Sequence, residues 1–358
     1  MSRLRICLIA SSRFPIAEPF AGGLEAHTHA LTRELVARGH EVTLFAGHGS
    51  DPALRARLLT AAPFEPSPRA RRDVGAPPIE WMREHDAYLG LCLELMADGA
   101  ERYDVIHNNS LHHLPVAMSR AIPVPMLTTL HTPPIAWLES AVGHADPGSA
   151  FVAVSVHTAG QWQATIPASV VLNGVDPALW PEGPGGGDAI WFGRLVPEKA
   201  PHLAILAAER AGMALDLAGP ALDSAYFEAE IAPRLGPRIR YLGHLGSQDL
   251  ARHVGRASVT VVTPTWDEPY GLVAAESMAT GTPVAAIARG GLTEVVTERS
   301  GRLSRSEDPA ELARAMVEAS ALSRAETRAH ALAHCSIATM VDAYEAHYRA
   351  LTTERRAA

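Results

Sequence analysis

Two glutamates, Glu268 and Glu276, stand with seven residues between them at a point where a strand pattern gives way to a helix pattern. Residues 259–263 are apolar and β-branched, as in a short buried strand, and an amphipathic helical pattern begins at Gly271. A helix N-terminus presents unpaired amides and the positive end of its dipole, so it suits a phosphate group. Glu268 would lie before the helix and Glu276 about two turns along it. One carboxylate can therefore meet a sugar and the other a ribose, which outlines a nucleotide-sugar site.

Charges that could neutralise a diphosphate lie earlier in the same half of the chain. Arg194 and Lys199 follow an apolar strand pattern at 189–192 and would lie on the carboxyl side of that strand. Two fixed cations and a helix N-terminus can stabilise a departing diphosphate without a metal. Taken alone, an arginine and a lysine with this spacing are more often surface charges. The chain contains no Asp-x-Asp pair to hold a divalent ion beside a diphosphate, so we expect no metal and no cofactor.

Two consecutive glycines, Gly22 and Gly23, separate the first predicted strand from the first predicted helix. They allow positive φ and a close approach of backbone amides to a ligand, although any strand-to-helix turn can use glycine. Glu25 follows them as a weaker candidate.

Histidines form two further groups. His131 directly follows the predicted strand 126–130, where its imidazole could hydrogen-bond a sugar, and the plainer interpretation is a histidine packed in a loop. His107, His112 and His113 are expected in a loop on the acceptor side, with zinc ligation as the alternative.

The composition excludes several classes of protein. The 358 residues are enough for about two domains, and the net charge of −8 argues against a dedicated nucleic-acid binder. Cys7, Cys92 and Cys335 lack metal-ligand spacing, give no disulfide framework and are expected in the core. No apolar run approaches the ~20 residues of a membrane span, so we expect a cytoplasmic protein. The arginines at 55–72 predict a solvated loop, with peripheral contact to an anionic inner membrane face or an anionic acceptor as the alternative; they are Arg55, Arg57, Arg69, Arg71 and Arg72.

Strand and helix patterns alternate along both halves, which predicts an α/β protein with parallel sheets covered on both faces. The predicted strands are 4–10, 41–46, 104–107, 126–130, 151–154, 189–192, 214–218, 239–242, 259–263 and 283–287, and the clearest helices are 24–38, 80–97 and 337–351. We place the first domain at 1–170, with the terminal helix at about 337–358 belonging to it, and the second at 171–336. The glycine-rich residues 182–188 predict a flexible loop beside the junction.

Several of these segments together resemble the retaining glycosyltransferases of family GT4, which have the GT-B fold. The resemblance rests on the Glu-x7-Glu spacing of Glu268 and Glu276 and on four further motifs in matching order. These are Gly-Gly-x-Glu at 22–25, Asn-Gly-Val-Asp at 173–176, Gly-Arg-Leu-x-x-x-Lys at 193–199 and Gly-Gly-x-x-Glu at 290–294. The family pattern commonly has Gly-Phe after the first glutamate, whereas this chain has Pro269 and Tyr270, and we expect Tyr270 to shape the sugar pocket.

The resemblance implies two Rossmann-like domains facing across a cleft, with the last helix crossing back to the first domain. It also implies transfer of a hexose from a nucleotide sugar to an acceptor hydroxyl with retained configuration, UDP-glucose being the commonest donor. Arg194 and Lys199 would contact the diphosphate and His131 the sugar, while the amides of Gly271, Leu272 and Val273 would hold the phosphates. A nucleotide-sugar epimerase and a non-catalytic nucleotide-sugar binding protein remain the alternatives.

Overall fold

Two parallel β-sheets organise the structure, a computed structural model that describes residues 3–60 and 63–357. The first sheet has seven strands in the order β3-β2-β1-β4-β5-β6-β7. Its strands are β1 Arg5–Ile9, β2 Glu41–Ala46, β3 Arg57–Leu58, β4 Val105–Asn108, β5 Met126–Leu130, β6 Ala150–Ala153 and β7 Ser169–Val170. The second sheet has six strands in the order β10-β9-β8-β11-β12-β13. Its strands are β8 Ala189–Phe192, β9 Leu215–Ala218, β10 Ile239–Tyr241, β11 Thr260–Val262, β12 Val284–Ile287 and β13 Gly301–Ser304.

Helices cover these sheets. Those that follow strands of the first sheet are α1 Gly23–Ala37, α2 Ile79–Arg102, α3 His113–Ala117, α4 Ala136–Val142 and α5 Val156–Trp162. The later helices are α6 Pro201–Ala211, α7 Ser224–Tyr226, α8 Ser247–Arg256, α9 Leu272–Ala279, α10 Leu292–Val295, α11 Pro309–Ser320, α12 Arg324–His334 and α13 Ile337–Ala357. Among the described residues, no helix is long and apolar enough to cross a membrane.

The predicted strands are all present, to within two residues at each end, because most of them are short apolar runs buried on both faces. The missed strands are β3, β7 and β13. The first two are edge strands of two exposed residues each, and β13 reads Gly-Arg-Leu-Ser, so none carries an apolar run. The three cysteines are buried and unpaired, as predicted.

Both sheets reverse their strand order at an internal point. The reversal lies between β1 and β4 in the first sheet and between β8 and β11 in the second. In open parallel sheets the loops on the two sides of such a point diverge and leave a crevice at the carboxyl ends of the strands. The fold therefore offers one crevice in each half.

The terminal helix α13 packs back onto the first sheet, as the resemblance to GT-B enzymes implied. Its buried Tyr344 and Tyr348 lie in one apolar cluster with residues of β1, β4 and β5. The Tyr348 hydroxyl is hydrogen-bonded to Nδ1 of His107 at 2.7 Å. The predicted strand 104–107 is confirmed for His107, which is a fully buried residue of β4 that holds the terminal helix. Its assignment to an acceptor-side loop was wrong.

Residues 182–188 form a loop, as predicted, but its backbone is held by hydrogen bonds to the second domain. The amides of Gly183, Gly185 and Gly187 donate hydrogen bonds of 2.8–3.0 Å to the carbonyls of Thr280, Gly255 and Arg256. The glycines here allow two backbone segments to lie close together. Composition alone does not distinguish glycines with this role from glycines in a flexible loop.

The return of α13 depends on Gly174, in the link between the two sheets. A Cβ at Gly174 would lie 2.5 Å from the carbonyl oxygen of Ser336 and 2.6 Å from Cα of Ile337. We therefore expect Gly174→Ala to destabilise the protein by about 1–3 kcal/mol, because backbone atoms have to move. Urea unfolding followed by circular dichroism measures this. Gly160→Ala is the matched control, since a Cβ at this exposed position of α5 meets nothing within 4 Å. Equal unfolding midpoints for the two variants would contradict this packing argument.

Candidate active site between the domains

A narrow cavity of about 110 Å³ lies between the domains, which we call the interdomain cavity. Four of the predicted site residues on its lining come from the second half: Arg194, Leu272, Val273 and Glu276. Gly22 and Gly23 line it from the first half. The lining leaves out Lys199, Glu268, Gly271 and His131. The structure thus brings six of the ten predicted residues around one space and places the other four beside it or apart from it.

Glu276 contributes a partly buried carboxylate to this cavity. Within the described residues it has neither a hydrogen-bond partner nor an ion pair. Burial raises its pKa to about 8. An acidic group left without a partner in this way is suited to receive hydroxyl donors from a ligand.

Glu268, in the loop before α9, forms an ion pair with Lys199, in the segment after β8. The Lys199 ammonium also lies 5.2 Å from the centre of the Trp266 ring, within cation–π range. Lys199 is the only lysine among the 31 lysine and arginine residues of the chain. Arg194 is freer, with Glu198 Oε1 3.9 Å from its Nη2. Two cations and one paired carboxylate therefore lie at the carboxyl end of β8, beside the start of α9.

The loop that carries Glu268 is fixed by the Gly-Gly-x-x-Glu segment beneath it. The Gly291 amide donates to the Glu268 carbonyl at 2.7 Å. Gly290 has φ +58°, and a Cβ there would lie 2.2 Å from the same carbonyl oxygen, so only glycine fits. The segment therefore serves as backbone support for the loop that carries Glu268.

The amino end of α9 faces the interdomain cavity through Leu272 and Val273. Gly271 precedes the helix with φ +98°. Hydrogen bonding of the helix begins with the amides of Ala274 and Ala275, which donate to the Gly271 carbonyl. The amides before Ala274 are consequently the ones that can bind an anion.

The glycine loop of the first domain closes against α9. A Cβ on Gly23 would lie 3.1 Å from Cδ1 of Leu272, and one on Gly22 would lie 3.9 Å from Cδ of Arg194. His244 Nε2 donates to the Phe20 carbonyl at 2.9 Å, which ties the loop to the second domain. Sequence reasoning missed Phe20 and His244 because neither belongs to a motif.

His131 is packed rather than open to the cavity. Its Nε2 is hydrogen-bonded to Asn109 Oδ1 at 2.5 Å, and its ring meets His27 edge-on at 5.0 Å. Burial lowers the pKa of His131 well below its usual value, so the ring is neutral at pH 7. In this conformation the plainer interpretation, a histidine packed in a loop, describes its surroundings.

His27 is a residue that sequence reasoning missed. It is 2% exposed, neither ring nitrogen has a partner among the described residues, and burial lowers its pKa to about 4. It lines a small cavity of about 50 Å³ together with Glu276. The sequence signal that could have identified His27 is its position on the buried face of the predicted helix, next to Thr28 and one turn before Leu31.

Two hydrogen-bonded contacts join the domains beside the site. The Glu294 carboxylate accepts from the amides of Val156 and His157, at 2.8 and 2.7 Å, at the amino end of α5. The Pro269 carbonyl accepts from the Ser155 hydroxyl at 2.6 Å.

The expectation that Tyr270 shapes the pocket was wrong, because Tyr270 is 2% exposed and packs in the core of the second domain.

The zinc alternative was stated for His107, His112 and His113, but His107 lies apart from the other two, in β4. The structure brings His85 to His112 and His113 instead, with ring nitrogens within 4.8 Å of one another. His112 Nδ1, however, accepts a hydrogen bond from the Leu114 amide at 3.2 Å. This bond places the proton of the neutral ring on Nε2, so His112 has no lone pair to give to a metal. The cluster instead forms a stack, with His112 and His113 ring centres 4.4 Å apart.

The predicted basic loop is exposed and partly neutralised. Arg57 pairs with Glu94 at 2.9 Å and Arg71 pairs with Glu65 at 3.0 Å. These contacts fit a solvated loop, and contact with a membrane stays a prediction.

The fold and the site define a class of protein: two Rossmann-like domains, closed over a crevice that carries cations and a helix N-terminus, make a GT-B glycosyltransferase. The sequence model of the family described as Glycosyltransferase Family 4 matches residues 21–179. The model described as Glycosyl transferases group 1 matches residues 184–331. The chain belongs to glycosyltransferase family GT4.

The chain is similar in sequence to relatives over most of their length. A D-inositol 3-phosphate glycosyltransferase of Kribbella flavida is 30% identical over 353 residues, covering 82% of this chain and 82% of that protein. A glycogen synthase of Mycobacterium tuberculosis is 28% identical over 342 residues, covering 82% of this chain and 80% of that protein. Among solved structures, Anabaena HepE in complex with UDP and glucose superposes with a TM-score of 0.75 at 19% identity, over 96% of this chain and 99% of that one. This last likeness shows the fold.

The raised pKa of Glu276 predicts that binding depends on pH. A ligand whose hydroxyls donate to the carboxylate favours its ionised form, so below pH 8 binding has to displace a proton. We expect the association constant of UDP-glucose to rise by up to about tenfold per pH unit as pH approaches 8, and to level off above it. Isothermal titration calorimetry in buffers of different ionisation enthalpy measures both the affinity and the proton release.

Glu276→Gln is the control for this pH effect, since the amide has a similar shape and does not titrate. We expect its affinity to be weaker and flat across the same range. The same pH slope in the variant would assign the effect to another group.

Proposed function

We propose that the chain transfers a hexose from a UDP-sugar, UDP-glucose being the best candidate, to an acceptor hydroxyl with retention and without a metal. The observation that carries the proposal is the arrangement around the start of α9. There Arg194 and the free amides face the same cavity as the unpartnered carboxylate of Glu276, while Lys199 and Glu268 stand beside it.

Each group has a role that follows from its charge and position. Glu276 receives the ribose hydroxyls, and the amides of Gly271, Leu272 and Val273 receive the diphosphate oxygens. Arg194 and Lys199 stabilise the charge that develops on the leaving diphosphate. Glu268 orients Lys199 and accepts from the sugar hydroxyls.

Retention follows from attack on the same face that the diphosphate leaves. The bond from the anomeric carbon to the diphosphate oxygen breaks, and a bond to the acceptor oxygen forms on that face. The acceptor proton passes to the departing phosphate oxygen, so no side chain has to act as the base. His131 is proposed as a sugar contact through Nδ1, since Nε2 is bonded to Asn109.

The donor assignment has indirect support. HepE, which shares the fold, binds UDP-glucose in a solved structure. Metal independence is supported by the lack of an Asp-x-Asp pair in the sequence and by the presence of two cations at the carboxyl end of β8.

Lys199→Ala should lower the rate of UDP release from UDP-glucose by about 10²–10³-fold, because a fixed charge that stabilises the transition state is lost. Coupled detection of UDP measures this, with EDTA present to check that the rate needs no divalent ion. Lys199→Arg keeps the charge and should recover part of the rate. Arg210→Ala, on the exposed end of α6, is the control and should match the wild type.

The outcomes also separate the alternatives. A wild-type rate for Lys199→Ala would overturn the assigned role. An epimerase would interconvert the donor sugar without releasing UDP, and a binding protein would bind UDP-glucose without consuming it.

The single lysine allows an independent check on where the donor binds. Pyridoxal phosphate followed by borohydride modifies accessible amines, and in this chain the only side-chain amine is that of Lys199. We expect UDP-glucose to protect Lys199 from modification, measured by peptide mass spectrometry, with the terminal amine as the internal control. Equal labelling with and without UDP-glucose would contradict the proposed site.

A further inference from the structure

A second and larger cavity, of about 820 Å³, lies in the first domain, and we call it the aromatic cavity. Its lining includes residues from the loops that follow β1, β4 and β5, namely Ser11, His112 and Thr132. It therefore occupies the crevice where the first sheet reverses its strand order, the counterpart of the interdomain cavity in the second.

The walls of the aromatic cavity are exposed aromatic side chains. Phe64, Trp81 and Trp137 are 41%, 46% and 55% exposed, an unusual amount of open apolar surface to find around one concave site. The two indole rings lie 5.7 Å apart at 60°. Exposing aromatic rings to water is unfavourable in free energy, and a flat apolar ligand would cover them.

The histidine stack continues this wall. The His113 ring lies 4.8 Å from Trp137 at 27°, and His112 lies 4.3 Å from Tyr88 at 14°. Burial lowers the pKa of His112 to about 3 and also lowers that of His113, so both rings are neutral at pH 7. The stack thus presents uncharged ring faces and edges.

The charged groups of the cavity do not suit a phosphate. Arg13 is the one lysine or arginine on its lining, and it is accompanied there by Glu84 and Asp86. Recognition of a phosphate in a protein site normally uses several convergent cations or a helix N-terminus. In contrast, the relative from Kribbella flavida is named for an inositol phosphate.

One polar atom in the cavity is left without a partner. Thr132 Oγ1 is buried and makes no hydrogen bond to the described residues. Thr132 follows His131 directly, after the carboxyl end of β5, and a rotation of its side chain towards the cavity would let Oγ1 bond the hydroxyl of an otherwise apolar ligand.

The two cavities share a loop. The segment after β1 lines the aromatic cavity at Ser11 and Arg13 and lines the interdomain cavity at 20–23. A ligand in the aromatic cavity is therefore positioned by the same segment that closes over the donor.

We propose that the aromatic cavity binds the acceptor, and that the acceptor is an uncharged alcohol or phenol on a flat apolar ring system. The assignment rests on the proposed function, since it names the second substrate of that reaction. The side chains of Trp81 and Trp137 would pack against the ring system, and Thr132 would orient its hydroxyl.

The test uses 4-methylumbelliferone and 2-naphthol, at a pH where both are neutral, as flat phenols, with inositol 3-phosphate and glucose 6-phosphate as polar probes. Binding is followed by quenching of tryptophan fluorescence and by calorimetry, and transfer from UDP-glucose is followed by mass spectrometry. We expect the flat phenols to bind and to be glucosylated, and the two phosphates to do neither. Binding or transfer that favours the phosphates would overturn the proposal.

Trp137→Ala and Trp81→Ala should each weaken phenol binding at least tenfold and leave UDP-glucose affinity unchanged. Leu332→Ala removes an equally exposed apolar side chain from α12, outside the cavity, and should change neither. Unchanged phenol binding in both tryptophan variants would overturn the acceptor assignment. Phe64→Ala, in an exposed loop, repeats the test should either tryptophan variant fail to fold.

The two proposals fail in different ways. If UDP-glucose does not bind the wild type, the proposed function fails, and phenol binding without a donor still tests the cavity. If UDP-glucose binds and is hydrolysed while the tryptophan variants bind phenols normally, only the acceptor assignment fails.

Discussion

The loop from Asp267 to Gly271 is fixed from both sides, and the geometry of the site depends on it. Within the second domain, the Gly291 amide donates to the Glu268 carbonyl at 2.7 Å. From the first domain, the Ser155 hydroxyl donates to the Pro269 carbonyl at 2.6 Å. Because α9 starts directly after this loop, the same bonds set the direction of its free amides. The contact that joins the domains therefore also aligns the groups that would face a donor.

The two glutamates of the site differ in their electrostatic surroundings. Glu268 has a cation beside it, whereas Glu276 pairs with no cation of the described residues and is partly buried, with its pKa raised. An unpaired carboxylate disfavours its own ionised form and gains most from a ligand that brings hydroxyl donors. Lysine at position 199, in a chain that otherwise uses arginine, supplies a compact ammonium that can exchange one partner for another as a substrate binds.

Much of the fold could be predicted because its signals are local. Strands such as 126–130 and 189–192 are runs of apolar residues, and parallel sheets bury such runs on both faces. The errors arose where a local pattern has two structural meanings. Glycines at 183–187 indicate either looseness or tight backbone contact, and a polar His107 at a strand end indicates either a loop or a buried partner for the Tyr348 hydroxyl. Only the neighbours across the fold distinguish these meanings.

By itself, the sequence determined the family, the order of the elements and the segments that carry the site, because motif spacing and hydrophobic periodicity are properties of adjacent residues. The tertiary structure alone decided which side chains share a space. It paired Lys199 with Glu268, set His27 beside Glu276, and gathered Phe64, Trp81 and Trp137 around one cavity. These residues come from separate segments, and their distances are set by how helices and loops pack over two sheets. No pattern along the chain records that packing.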